Sequence, residues 1–273
     1  MDKAAREAKV HTSWIEQNPE YSKALVWFVK ETLAGETARR FLASFLPFQR
    51  RVAHVGMVNS LSQLVLKLAS PGVPDFYQGT ELWDLSLVDP DNRRAVDFAA
   101  RGHLLAELRP VLDRLEHETT AERDVQDLFT HWTDGRIKLL VTACGMRFRR
   151  QHRALMLHGA YTPLEVDGDR ADHVVAFARH DDSGTLLVVA PRLVVPLVTE
   201  ERLLPIGPDV WAATRIVLPP VTRAVRFRHV MTGEWCETAS DRSSLPMASA
   251  LATCPVALLW APAREQGVRA DAA

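Results

Sequence analysis

The stretch GVPDFYQGTELWDLSLVDPDNRRAVDF, residues 72–98, follows an apolar run and mixes acids, arginines and aromatic rings between a Gly and a Phe. Immediately before it, residues 50–70 are apolar on most faces through Val52, Val55, Val58, Leu61, Leu64, Val65 and Leu68. That is the pattern of a helix buried against a sheet. Pro71-Gly72 stops the helix, and VPDFYQG then reads as a short strand with Pro at its start, where a missing N–H is tolerated. A helix, a Pro-Gly break, a strand and a polar loop in that order make one unit of a parallel barrel, whose chemistry sits on the loops after the strands. The expected last barrel strand lies near 72–78.

Upstream, Asn18-Pro19-Glu20 supplies an N-cap, a first-position proline and an acid in the first turn. Tyr21, Leu25, Phe28, Val29 and Leu33 follow at helical spacing up to Gly35. A second short helix is expected from Phe41 to Pro47, and a third over 50–70. Downstream, helices are expected over 95–115, 128–132 and 137–150. Beyond LHGAYTPLEV the pattern changes to β-branched runs, two of which are joined by Asp181-Asp182-Ser183-Gly184, a hairpin signal. Arg226 and Arg228 alternate with Val225 and Phe227, the period of a half-buried strand. The expected domains are 1–157, mostly helical, and 158–263, all-β, with a disordered tail over 264–273.

Composition narrows the function classes. The 33 basic and 34 acidic residues give a net charge of −1, so no global field draws the chain to nucleic acid or an anionic membrane. Cys144, Cys236 and Cys254 are scattered and in no metal-ligand spacing, which suits reduced thiols. No apolar run reaches the length needed to span a bilayer. The N-terminus is charged and lacks the apolar core of a secretory signal. The expectation is a cytoplasmic protein, with no cofactor and no metal.

The loop carries the strongest functional signal. Sugars are held by carboxylates and arginines that bond paired hydroxyls, while aromatic faces pack on the ring C–H surface. The expected substrate-binding residues are Tyr77, Glu81, Trp83, Asp84, Asp89, Asp91, Arg93 and Arg94. The plain alternative, a solvated loop with local ion pairs, is the usual fate of charge runs. His11 and Trp14, in VHTSWIEQNPEY, are further pocket candidates, with a structural connector as the equal alternative. RFRRQHR (147–153) reads as a solvated helix end, Trp132 and Trp235 as core residues, and Lys138 has no readable role.

Gly72, Pro74, Tyr77, Gly79 and Glu81 fit the Gly-x-Pro-x-x-Tyr-x-Gly-x-Glu run of the α-amylase superfamily. With LWDLSLVDPDNRRAVDF, KAAREAKVHTSW, NSLSQLVLKLASPG, DGRIKLL, LHGAYTPL and PVALLWAP, the chain resembles the malto-oligosyltrehalose synthases along nearly its whole length. The resemblance implies the C-terminal portion of a (β/α)8 TIM barrel followed by a β-sandwich. It also implies an isomerase that converts the reducing-end α-1,4 bond of a malto-oligosaccharide to α,α-1,1. The family's nucleophilic Asp, acid/base Glu and His-Asp-Thr-Lys-Arg motif have no match here, and His180-Asp181 falls in the hairpin. No catalytic residue is therefore assigned. The chain alone is expected to be inactive, with a separate N-terminal half carrying the acids as its partner. A non-catalytic carbohydrate-binding protein, or a fragment of another amylase-superfamily glucosidase, is the alternative.

Overall fold

The structure is a computed structural model that describes residues 1–36, 38–87, 89, 91–117, 119–199 and 201–263; the tail expected over 264–273 lies outside them. The chain divides into two compact units, Met1–His54 and Val55–Ala273.

The first unit holds α1 (Asp2–Ala8), α2 (Pro19–Ala34) and the start of α3 (Ala38–Ala69). The Asn18 side chain accepts from the Tyr21 amide at 3.0 Å, so the expected N-cap forms, and α2 stops at Gly35. The two helices expected on either side of Pro47 are one helix in the structure. A proline removes a single ladder bond, and Leu42, Ala43, Gln49, Arg50 and Arg51 around it are strong helix formers.

In the second unit the buried stripe of α3 is Met57, Val58, Leu61, Leu64, Val65 and Leu68, at the three- and four-residue spacing of one helix face. Val52, expected in that stripe, is 52% exposed. The stripe shares a core with α4 (Phe98–Glu116), α5 (Glu122–Thr130) and α6 (Arg136–Gln151), through Leu108, Leu112, Val125, Leu140 and Phe148. The short α7 (Arg153–His158) leads to the strands.

Residues 73–77 form no strand among the described residues, contrary to the expectation for 72–78. A barrel strand is held by bonds to neighbours on both sides, and no strand of either sheet pairs with this segment.

The strands are β1 (Ala160–Pro163), β2 (Val166–Asp167), β3 (Val174–Asp181), β4 (Gly184–Pro191), β5 (Arg215–Val217), β6 (Arg226–His229), β7 (Trp235–Glu237), β8 (Ser244–Pro246) and β9 (Ala257–Pro262). They form an antiparallel six-stranded sheet, β1-β3-β4-β9-β6-β7, and a three-stranded sheet, β2-β5-β8. The hairpin expected at Asp181–Gly184 is the β3–β4 turn. Asp181 pairs with Gly184, and the Asp181 carboxylate accepts from the Ser183 amide at 2.8 Å.

Every residue of β4 is buried. Its side chains alternate: Leu186 and Val188 join the helical core, while Leu187 and Val189 join a second core with Ile216 and Leu245 of the small sheet. The large sheet thus lies between a helical layer and the small sheet. In β6, Phe227 is buried between the half-buried Arg226 and Arg228, as expected. Val225 lies outside the strand and is 41% exposed.

Candidate functional site

The loop from Pro71 to Asp97 is built by backbone acceptors and three distant cations. At its base, Arg149 donates from Nη1 to the Leu68 carbonyl at 2.6 Å and from Nη2 to the Gly72 carbonyl at 2.8 Å. The first bond satisfies an end carbonyl of α3 that has no partner within the helix. Burial lowers the Arg149 pKa. RFRRQHR is therefore no solvated helix end: Arg149 holds the loop, and Arg147 pairs with Glu116 at 2.9 Å.

Midway, Arg101 of α4 gathers three points of the loop. Nη2 donates to the Gly79 carbonyl at 2.8 Å, Nε to Glu81 Oε2 at 3.1 Å, and Nη1 to the Asp97 carbonyl at 3.1 Å. Lys138 of α6 donates to the Leu82 carbonyl at 2.9 Å and lies 5.6 Å from the Trp83 ring centre, within cation–π range. Burial, then Lys67, lowers its pKa. Trp83 Nε1 donates to the Trp132 carbonyl at 2.5 Å, and the two indoles meet edge to face at 6.3 Å. Gly135 permits this close approach. Its φ is +80°, and a Cβ there would lie 3.1 Å from Leu82 Cβ and 3.3 Å from the Trp83 amide nitrogen.

The acids of the loop are engaged locally. Asp84 accepts from the Ser86 amide at 2.9 Å, and hydrogen bonds from the Ser86 side chain and amide hold its pKa below the usual carboxylate range. Asp89 receives both Nε and Nη2 of Arg93 at 2.6 Å. Asp91 accepts from Arg94 Nη2 at 2.6 Å and from the Leu87 amide at 2.7 Å. The Asp89–Arg93 pair is more than half exposed on both sides, and such pairs contribute about 0–1 kcal/mol. A ligand hydroxyl can displace one at little cost. Beside these pairs the loop exposes large apolar side chains, Tyr77 at 44%, Leu85 at 93% and Leu87 at 60%, and Phe98 at the start of α4 is 62% exposed.

The structure thus brings Glu81, Trp83, Asp84, Asp89, Asp91, Arg93 and Arg94 onto one loop, with Tyr77 at its start. His11 and Trp14 belong to the first unit. There the His11 and Tyr21 rings meet at a tilt with centres 5.0 Å apart, and Trp14 donates to Glu7 Oε1 at 2.9 Å. Trp132 is half-buried against Trp83, in line with its core reading. Trp235 is not core: it is 38% exposed, with the Arg226 guanidinium 4.1 Å from its ring centre.

The sequence reading missed Arg101, Arg149 and Lys138. Their acceptors are mostly backbone carbonyls 22 to 81 residues away, and a carbonyl leaves no trace in a side-chain pattern. Among the described residues, no three of His, Cys, Asp and Glu converge so as to hold a metal ion. None of the described helices is long and apolar enough to cross a membrane.

No protein-family model matches the chain. Two curated Mycobacterium tuberculosis proteins, from different strains and both carrying the name maltooligosyl trehalose synthase, are 36% identical to it over 216 residues. That match covers 77% of this chain and 24% of theirs, so the chain spans about a quarter of the length of these relatives. The solved maltooligosyltrehalose synthase of Arthrobacter ramosus superposes with a TM-score of 0.69 at 32% identity, covering 94% of this chain and 29% of that one. A Sulfolobus tokodaii structure titled hypothetical maltooligosyl trehalose synthase gives a TM-score of 0.62 at 27% identity, covering 94% and 28%. Sequence and fold together place the chain in the maltooligosyl trehalose synthase family, as a portion spanning about a quarter of its relatives' length.

Proposed function

We propose that this chain is the C-terminal part of a maltooligosyl trehalose synthase and supplies one sugar-gripping wall of its active site. The reaction turns the reducing-end α-1,4 linkage of a malto-oligosaccharide into an α,α-1,1 linkage. A retaining mechanism of that kind needs two carboxyl groups about 5–5.5 Å apart, one as nucleophile and one as acid/base. Those acids lie in the part of the synthases that this chain does not span, and this chain alone is inactive. Here Tyr77, Trp83 and the exposed ion pairs of the loop bind the glucosyl units.

The observation that carries this reading is the likeness over 94% of the chain to solved synthases. The loop adds chemical support, because exchangeable Asp–Arg pairs and exposed apolar side chains suit a hydroxylated ring with a C–H face. In architecture, residues 1–157 are the end of a (β/α)8 barrel and residues 158–263 a β-sandwich. The buried cluster common to both sheets supports the sandwich.

Calorimetric titration with maltopentaose tests the division of labour. One wall of a groove gives by itself no heat that depends on Tyr77 or Trp83. Saturable binding that Tyr77→Ala and Trp83→Ala abolish would instead make the chain a free-standing carbohydrate-binding protein.

A further inference from the structure

A cavity of about 290 Å³ lies within the second unit, between α4, α6 and the β6 and β9 strands. Its volume is at the lower end of the range for small-molecule pockets, about 300–1,000 Å³. None of the loop residues discussed above lines it.

One wall is aromatic. The His152 ring stands 4.3 Å from Phe148 and 4.3 Å from Trp260, while Phe148 and Trp260 meet edge to face at 5.4 Å. The adjoining wall is polar, formed by the Glu116–Arg147 ion pair and by the exposed Gln151 amide. Leu112 and Val230 close the rest with apolar surface.

The cavity's three charged groups, Glu116, Arg147 and Arg228, sum to +1, and both guanidinium groups are engaged. Arg147 stands 2.9 Å from Glu116. Arg228 donates from Nη2 to the Leu115 carbonyl at 3.1 Å and the Thr119 carbonyl at 3.3 Å, so its charge faces the negative end of the α4 dipole. Burial lowers the His152 pKa, which keeps that ring neutral around pH 7. Burial also raises the Cys144 pKa to about 12, so its thiol is no nucleophile here. A polar cavity with one aromatic wall, whose two guanidinium groups already face Glu116 and helix-end carbonyls, suits a neutral ligand and offers no nucleophile.

We propose that this cavity binds a single neutral, polyhydroxylated ring of hexose size. The ring's C–H face lies on Trp260 and His152, and its hydroxyls bond Glu116, Arg147 and Gln151. Paired carboxylate and guanidinium groups match vicinal hydroxyls, which both donate and accept. The ring is either a free hexose or the terminal unit of an oligosaccharide. The proposal is independent of the reading given for the loop.

The test is a titration of the full chain, 13C-labelled at Leu and Val methyl groups, with D-glucose and in parallel with maltotriose. The Leu112 and Val230 methyl resonances shift saturably with a Kd in the millimolar range. Gln151→Ala, at an exposed position, weakens the affinity about tenfold, the effect of one lost hydrogen bond. Glu116→Gln weakens it similarly. Shifts with both sugars identify a chain end, and shifts with D-glucose alone identify a free hexose. The proposal is overturned if neither sugar gives saturable shifts up to about 100 mM, if inorganic phosphate moves the same methyl groups at lower concentration, or if Gln151→Ala leaves the affinity unchanged.

Discussion

Arg101 donates from Nε to Glu81 Oε2 at 3.1 Å, so the first acid after Gly79 ties the loop to α4. The same guanidinium takes the Gly79 and Asp97 carbonyls, which fixes both ends of an otherwise irregular segment. Replacing Arg101 by Met leaves a partly buried carboxylate and two carbonyls without this donor. The expected loss is about 1–3 kcal/mol. Urea unfolding should show a lower midpoint at unchanged slope, with faster amide exchange concentrated over residues 79–97.

Arg179 is a second structural cation, 1% exposed in β3. Nη1 donates to the Ala69 carbonyl at 3.2 Å. Nη2 reaches the carbonyls of Leu155 at 3.1 Å, Met156 at 3.3 Å and Gly159 at 2.9 Å. It therefore caps the ends of α3 and α7 together. Arg179→Leu should cost at least about 3 kcal/mol, because several buried acceptors lose their donor at once. Arg179→Lys should recover little, since an ammonium lacks the planar fork that reaches two helix ends. Thermal unfolding of the two variants beside the parent protein measures both effects.

His229 gives the stability a pH dependence. It is 3% exposed, its Nδ1 accepts from the Met231 amide at 3.2 Å, and burial lowers its pKa from 6.5 to about 4. Below pH 6.5 the unfolded chain takes up a proton at this site that the folded chain refuses. Stability from this group is thus complete above pH 6.5 and falls as pH drops toward 4, by about 3 kcal/mol. His229→Gln keeps an acceptor for Met231 and removes the titration. Urea titrations at pH 7.5 and 4.5 should show a smaller acid-induced loss in the variant than in the parent protein.

Much of the fold was legible because its signals are local. Asn18-Pro19 fixed the start of α2, and Asp181–Gly184 fixed the β3–β4 turn, each through a side-chain to backbone bond within three residues. The run through Val58, Leu61 and Leu68 placed the buried face of α3 correctly, while Val52 strayed because periodicity says which residues share a face and not where burial ends. The strand expected near 72–78 required neighbours that a single segment's pattern cannot supply. At the site, the loop's acids, arginines and rings were visible in the sequence. Arg101, Lys138 and Arg149 were not, because each reaches across the fold to a backbone carbonyl.

The most direct test of the central claim is an assay for non-reducing maltooligosyl trehalose from maltopentaose. The purified chain is assayed alone, and again with an N-terminal segment of a related synthase that contains the carboxylate motifs. The account predicts no product from the chain alone and product when both polypeptides are present. Product from the chain alone would place the two catalytic acids within these 273 residues and contradict it.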